Sequence, residues 1–492
     1  MLGTATNKIN AFKSSPLFKN SFWGILSNIV QNVFLTLFFV ILARKLGTDE
    51  FAHYLIANAL YLLLAAFSTL GLSQWFIREL DDTADEKELI NRFFKVQLLF
   101  GIAFFFFNAG TALVLYSDFN IRVYTIFFGL NIIVDNLIYA IKALNIAKHE
   151  QKITFKILII EALLLFALAG TLYLFKVSVL FLIVAQIFIR LFSLNLFLRL
   201  GTSKLVSIST ILKSEISYKD VKALIINNWV FVIIGSISLI YWRSANIIVS
   251  KFLSLTDVAI YAITYKVFSV FIIFPLIVSN SVYPALVKLF NKGDVEKLKE
   301  FYQNVFLFYF LYGLLAFSFI FSFSDILLPF IFSKTYESTA FYTREMFLTM
   351  LVFPTAILQA NLLVAIKLER FDMWINAASL AIYIILTMIG LAFHQSLTGI
   401  YLSIFISFLV FHFIQDLVLI NRKILTKGHM AFFYIISITC TLAYVELIQF
   451  FNPYLFFVLF WVIVGTLFLL FFLRTQKKHS IQPTVAKNLE DS

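Results

Sequence analysis

Residues 21–42 read SFWGILSNIVQNVFLTLFFVIL, a run without a single charged side chain. A helix needs about 20 mostly apolar residues to cross the ~30 Å hydrocarbon layer of a bilayer. Only helices and closed barrels satisfy their backbone groups there. The apolar positions are continuous instead of alternating, so the run reads as a spanning helix and not as a barrel strand. Runs of the same kind follow at 51–76, 93–116, 123–145, 157–175, 177–198, 223–249, 258–287, 301–323, 346–366, 374–393, 397–420, 430–451 and 453–473. The expected fold class is an all-α membrane protein with about fourteen transmembrane helices.

Composition agrees with that reading. Of 492 residues, 61% are hydrophobic and 13% charged, against about a quarter charged in soluble domains. Mean hydropathy is +0.92. The net charge of +12 is spread over inter-helix segments and forms no continuous basic face, so no nucleic acid partner is expected. The lone cysteine, Cys440, lies in an apolar run, which excludes disulfides and Cys-based metal sites. The sequence has neither a phosphate-binding glycine loop ending in Lys-Ser/Thr nor a His-Glu-x-x-His pattern. No catalytic residue, metal site or cofactor is expected, and the chain reads as something other than an enzyme. Lys8, Lys13 and Lys19 precede the first run without a small-residue cleavage site, which predicts a retained first helix.

Orientation follows from the excess of Lys and Arg in cytoplasmic segments of membrane proteins. With the N-terminus inside, thirty of the 39 fall in cytoplasmic segments, Arg190 to Lys222 among them. Seven fall outside: Arg44, Lys45, Arg122, Lys176, Lys251, Lys334 and Arg344. Both termini are expected in the cytoplasm, in a multi-pass protein of the cytoplasmic membrane.

The link 43–54, ARKLGTDEFAHY, is echoed by 250–261, SKFLSLTDVAIY. Arg44 falls on Lys251, Leu46 on Leu253, Glu50 on Asp257, Ala52 on Ala259 and Tyr54 on Tyr261. A second echo sets Lys148-His-Glu-Gln151 against Lys367-Leu-Glu-Arg370. Both lie at equivalent links of two six-span units. Six is even, so the units insert the same way round, as a parallel pseudo-twofold repeat about the membrane normal. The expected organisation is an N-lobe at 1–200, a cytoplasmic linker at 201–222 and a C-lobe at 223–425. Two extra C-terminal helices at 426–475 and a cytoplasmic tail at 476–492 follow.

Three stretches carry a resemblance: ARKLGTDEF at 43–51, LGLSQWFIREL at 70–80, and RSANIIVSKFL from Arg243 leading to YAITYK at 261–266. In them the chain resembles the polysaccharide transport family, the O-antigen and capsule repeat-unit flippases, related to MATE drug exporters and lipid II flippases. The chain departs from the family pattern at Ala52 and Ala259, where glycine often precedes the tyrosine. It departs again at Ala245, where an acidic residue often follows the arginine. The resemblance implies a lipid-linked oligosaccharide substrate, alternating access, and polymerase and chain-length proteins of the same pathway as partners. Membrane lipids are the surroundings, and a monomer is expected.

Ionisable groups at membrane depth cost ~2.5–3.5 kcal/mol each, so they are functional candidates. Arg243 and Lys266 lie in spans 7 and 8 and suit an anion such as a pyrophosphate, the arginine as a planar fork and the lysine as a point charge. The plainer alternative is snorkelling, or pairing with Asp257 or Glu50. Arg44 joins them as a substrate candidate or an interfacial anchor. Asn28, Gln31 and Asn32 share one face of span 1. With Asn58, Asn227 and Asn228 they suit sugar hydroxyls, or else interhelical hydrogen bonds. Asp135 and Glu161 are candidates for coupling to an H+ or Na+ gradient, beside the membrane potential; pairing of Asp135 with Lys142 is the structural alternative. Arg78 and Glu79 are candidates for a cytoplasmic gate against the 288–300 loop. Two other functions fit less well. A MATE-like ion-coupled exporter would favour acidic cavities. A membrane glycosyltransferase or polymerase would need Asp49 and Glu50 as acids, which the start of a helix explains more simply.

Overall fold

A computed structural model of the protein describes residues 16–83, 85–202, 206, 208–213 and 218–466. In chain order the helices are α1 Pro16–Lys45, α2 Thr48–Ser68, α3 Ser73–Asp82, α4 Glu86–Leu115, α5 Phe119–Ala147, α6 Gln151–Leu174, α7 Val179–Arg199 and the short α8 Ile208–Lys213. The second group is α9 Tyr218–Phe252, α10 Leu255–Asn291, α11 Val295–Phe332, α12 Thr339–Phe347, α13 Phe353–Ala365, α14 Glu369–Phe393 and α15 Leu397–Asn421. Last come α16 Lys427–Leu447 and α17 Pro453–Thr466. Among the described residues twelve helical segments are long and apolar enough to cross a membrane. The helix α9 stands where span 7 is expected, and α17 where span 14 begins; the rest of span 14 lies outside the described residues. This is an all-α, multi-pass membrane protein.

Polar residues in the links start the helices. Side chains of Asp85, Asp118, Ser178 and Thr426 accept backbone N–H bonds at N-caps. Ser254 and Asp257 close a reciprocal capping box at α10. Asp294 caps α11, and its bond from the Lys297 side chain holds its carboxyl below the ordinary range.

Two expected spans are broken. The helix α2 stops at Ser68 because Leu70 (φ 52°) and Gly71 (φ 60°) turn left-handed, and α3 starts anew as a strongly amphipathic helix. Span 10 is α12, a 3₁₀ turn at Leu348–Leu351 and α13, which restarts with Pro354 in its first turn. Another correction concerns the second echo. His149 (φ 57°) and Lys367 (φ 62°) are the matching left-handed residues that end α5 and α13, so the structural register differs by one from that of the letters. The first echo keeps its register. Ala52 and Ala259 are both fully buried, and Tyr54 and Tyr261 both lie inside.

In the first group α1 packs on α6, α4 on α5, and α5 on α2 and α7. In the second, α10 packs on α11, α12 and α13, and α14 on α15. Gly390 and Gly399 bring α14 and α15 so close that a Cβ on the first would sit 3.6 Å from the second's Cα. The groups meet where α2 packs on α9 and α10, and α1 on α11. Pro275 in α10 leaves the Phe271 carbonyl without its helical donor. Tyr312 of α11 supplies that donor at 2.6 Å, and Tyr309 donates to the Pro275 carbonyl at 2.9 Å.

Candidate functional site

Arg243 of α9 and Lys266 of α10 are brought together. Each sits ~14–17 Å along its helix from the α9–α10 link, at ~1.5 Å per residue. They lie within electrostatic reach of one another, and Arg243 also reaches Tyr261 and Tyr265. The two tyrosine rings stack at 6.3 Å, and Trp242 lies 5.7 Å from Tyr265. The ammonium of Lys266 lies 6.0 Å from the ring of Phe39 on α1, so it points between the two groups. Both cations are half-buried. Among the described residues neither has a carboxylate within salt-bridge distance. Asp257 is held in its capping box instead. Two like charges at membrane depth, set among aromatic rings and without a carboxylate partner among the described residues, are chemically suited to an anion.

Asn28 and Asn32 lie 11 and 7 residues before Phe39, on the face of α1 that carries that ring toward Lys266. Asn28 is exposed, whereas Asn32 spends its amide on the Asn28 carbonyl at 2.8 Å. Gln31 is half-buried beside them, and Asn58 is half-buried on α2, the helix that meets both α9 and α10. Asn227 and Asn228 fall on α9, but their side chains lie outside the described residues. Arg44 is exposed at the end of α1 and donates to the Phe330 carbonyl at 2.9 Å. With Lys45, Tyr173 and Lys334 it lines a pocket of about 790 Å³ between α1 and α11.

Contacts join the two helix groups at that end. Phe39 lies 6.2 Å from Phe332, and Phe51 6.3 Å from Tyr336. Tyr116 bonds Ser250 at 2.8 Å, and Lys251 sits 4.5 Å from the Tyr116 ring. At the opposite end Arg78 is exposed and Glu79 half-buried, and neither forms an ion pair among the described residues.

The acidic candidates belong to a different arrangement. Arg190, expected at the edge of a loop, sits inside α7. Its Nε is 2.5 Å from Asp135 and its Nη1 2.5 Å from Glu161, while Tyr61 donates to the other Asp135 oxygen. The partner of Asp135 is therefore Arg190 and not Lys142, which stands nearby in the same field. Two carboxylates and two cations balance. Sequence reasoning also missed a second polar cluster, in which Asp416, His412 and Gln415 of α15 are buried with Gln359 and Tyr302. The spacing of His412 and Asp416, one helical turn, was the available signal.

The sequence profile of the polysaccharide biosynthesis protein family matches residues 17–290. No curated protein matches the sequence. Among solved structures the fold is similar to a multidrug resistance MATE family transporter of the MOP superfamily in its inward-facing conformation. The TM-score is 0.61 at 14% identity, over 81% of this chain and 94% of that one. The outward-facing conformation gives 0.56 at 12% identity, over 83% and 95%. A Pyrococcus furiosus MOP superfamily transporter, described as having a binding pocket of reverse polarity, gives 0.50 at 12% identity over 83% and 93%. The family is that of polysaccharide biosynthesis proteins, and the fold is shared with these membrane transporters.

Proposed function

This chain belongs to the polysaccharide biosynthesis protein family, and on that footing we propose that it flips undecaprenyl-diphosphate-linked oligosaccharide repeat units across the cytoplasmic membrane by alternating access. One observation carries the reading: Lys266 points between the two helix groups with Arg243 in electrostatic reach, tyrosine and tryptophan rings beside them, and no carboxylate partner for either among the described residues. A diphosphate matches the paired cations, and aromatic faces with the amides of α1 and α2 match sugar rings and hydroxyls. The head group enters from the cytoplasmic end while the prenyl chain stays in lipid. Opening of the Arg44–Phe330 and Tyr116–Ser250 contacts then releases it outside. A membrane potential negative inside assists outward anion movement by ~2.3 kcal/mol per charge per 100 mV. Both termini are cytoplasmic in this scheme, and the product passes to polymerase and chain-length proteins. A drug exporter taking up cations would need a carboxylate beside these groups, which among the described residues they lack.

The test is a deletion strain scored for lipid-linked repeat units on each leaflet. Units should be trapped on the inner leaflet, released by the wild-type gene and not by Arg243→Ala. Unchanged glycan export in the deletion strain would overturn the proposal.

A further inference from the structure

A buried carboxylate needs a counterion or a proton, because an isolated charge in a low-dielectric interior is too costly to keep. In the N-terminal group Arg190 and Lys142 meet that need for Asp135 and Glu161. In the C-terminal group no Lys or Arg among the described residues pairs with Asp416, which is 2% exposed. It accepts from Gln359 Nε2 at 2.6 Å and from Tyr434 Oη at 3.0 Å. The fully buried His412 places Nδ1 3.1 Å from the same carboxylate and 2.8 Å from Tyr434 Oη. Phe433 stacks on its ring at 4.9 Å. Meanwhile His412 Nε2 is buried without a hydrogen-bond partner among the described residues, leaving capacity for water beside the pair.

The other ionisable groups facing the pair are Tyr302 of α11, Tyr434 and His429 of α16, and Asp372 of α14, reached through Gln415 at 3.3 Å. The helix α13 contributes only the neutral Gln359. Asp372 and His429 lie in the first turns of their helices, at the end of the bundle opposite Arg44. None of these groups brings a permanent positive charge.

We infer that His412 and Asp416 form a proton-binding site, and that coupling to a proton gradient enters the transport cycle there and not through Asp135 and Glu161. The coupling half of this inference rests on the transport reading; the proton site itself does not. The imidazole takes up one proton and Asp416 stabilises the resulting cation, so the pair goes from net negative to neutral.

The experiment is histidine-selective 13C/15N NMR of the full chain in nanodiscs, with the His412 signal identified by its loss in His412→Gln. Between pH 5 and 9 that signal should convert from imidazolium to imidazole. In Asp416→Asn the midpoint should move at least one unit toward acid, a tenfold weaker hold on the proton. A His412 signal fixed in one form across the range, or a midpoint unmoved in Asp416→Asn, would overturn the site. If Asp416→Asn does not fold, Tyr434→Phe takes its place, and an unmoved midpoint there counts against the site equally. The second arm uses vesicles carrying a pH gradient and lipid-linked oligosaccharide extracted from the deletion strain. Gradient-driven flipping should be lost in Asp416→Asn; its retention would overturn the coupling role. Wild-type protein that titrates at His412 but moves no such lipid would leave the proton site standing and remove the substrate reading.

Discussion

Replacing Arg190 by leucine tests whether the charged cluster of α5, α6 and α7 serves the fold. Arg190 makes two charge-assisted bonds of 2.5 Å, and the side chains of Arg190, Asp135 and Glu161 are only 21%, 15% and 7% exposed. Removing one partner of a buried ion pair costs about 3–5 kcal/mol, because the remaining charge stays in a medium that solvates it poorly. Arg190→Leu strands two carboxylates, but Tyr61 still donates to Asp135 and Lys142 remains in the same field. The loss therefore belongs at the lower end, about 3 kcal/mol. That is roughly a hundredfold change in the folded-to-unfolded ratio, since each 1.4 kcal/mol is tenfold. Reversible unfolding in bicelles, followed by steric trapping, measures it directly. The neutral quadruple variant Arg190→Met/Lys142→Met/Asp135→Asn/Glu161→Gln should recover most of the loss, because it leaves no unpaired charge in the cluster. A single variant within about 0.5 kcal/mol of wild type, or a quadruple variant no better than the single, would refute the assignment.

Three further outcomes follow from the packing. With Cys440 replaced by serine, Tyr116→Cys/Ser250→Cys bridged by a short methanethiosulfonate linker should halt transport by holding the Arg44 end shut, and reductant should restore it. Export unaffected by complete crosslinking would mean that this contact never opens. Gly313→Ala should cost about 1–3 kcal/mol in the same unfolding assay, since a Cβ there overlaps the Met350 carbonyl oxygen and the helix backbones must separate. Ser254→Ala removes one half of the α10 capping box and should cost about 1 kcal/mol, a loss that Ser254→Thr avoids.

The number and type of spans were legible in the sequence because length and continuous apolarity are local properties. What went astray depended on groups remote in sequence. Arg190 reads as the start of a polar flank, since the carboxylates that neutralise it lie 55 and 29 residues away. Gly71 and Pro354 were the signs that spans 2 and 10 break, but an apolar run dominates a hydropathy window whatever its punctuation. Arg243 and Lys266 stood out because they are charges at membrane depth, and the structure adds that they lie within electrostatic reach of one another. His412 and Asp416 were visible as a one-turn pair. Their lack of a permanent counterion becomes apparent only once Gln359, Tyr302 and Tyr434 are gathered around them from three other helices.

The facing glycines of α14 and α15 carry a consequence for traffic through the bilayer. Where Gly390 meets Gly399, main chain rests almost directly on main chain, leaving no slot that would admit a hydrocarbon tail. No sideways opening can form where these two helices touch, so the zipped pair works as a blind wall and any lateral doorway belongs to another boundary of the bundle.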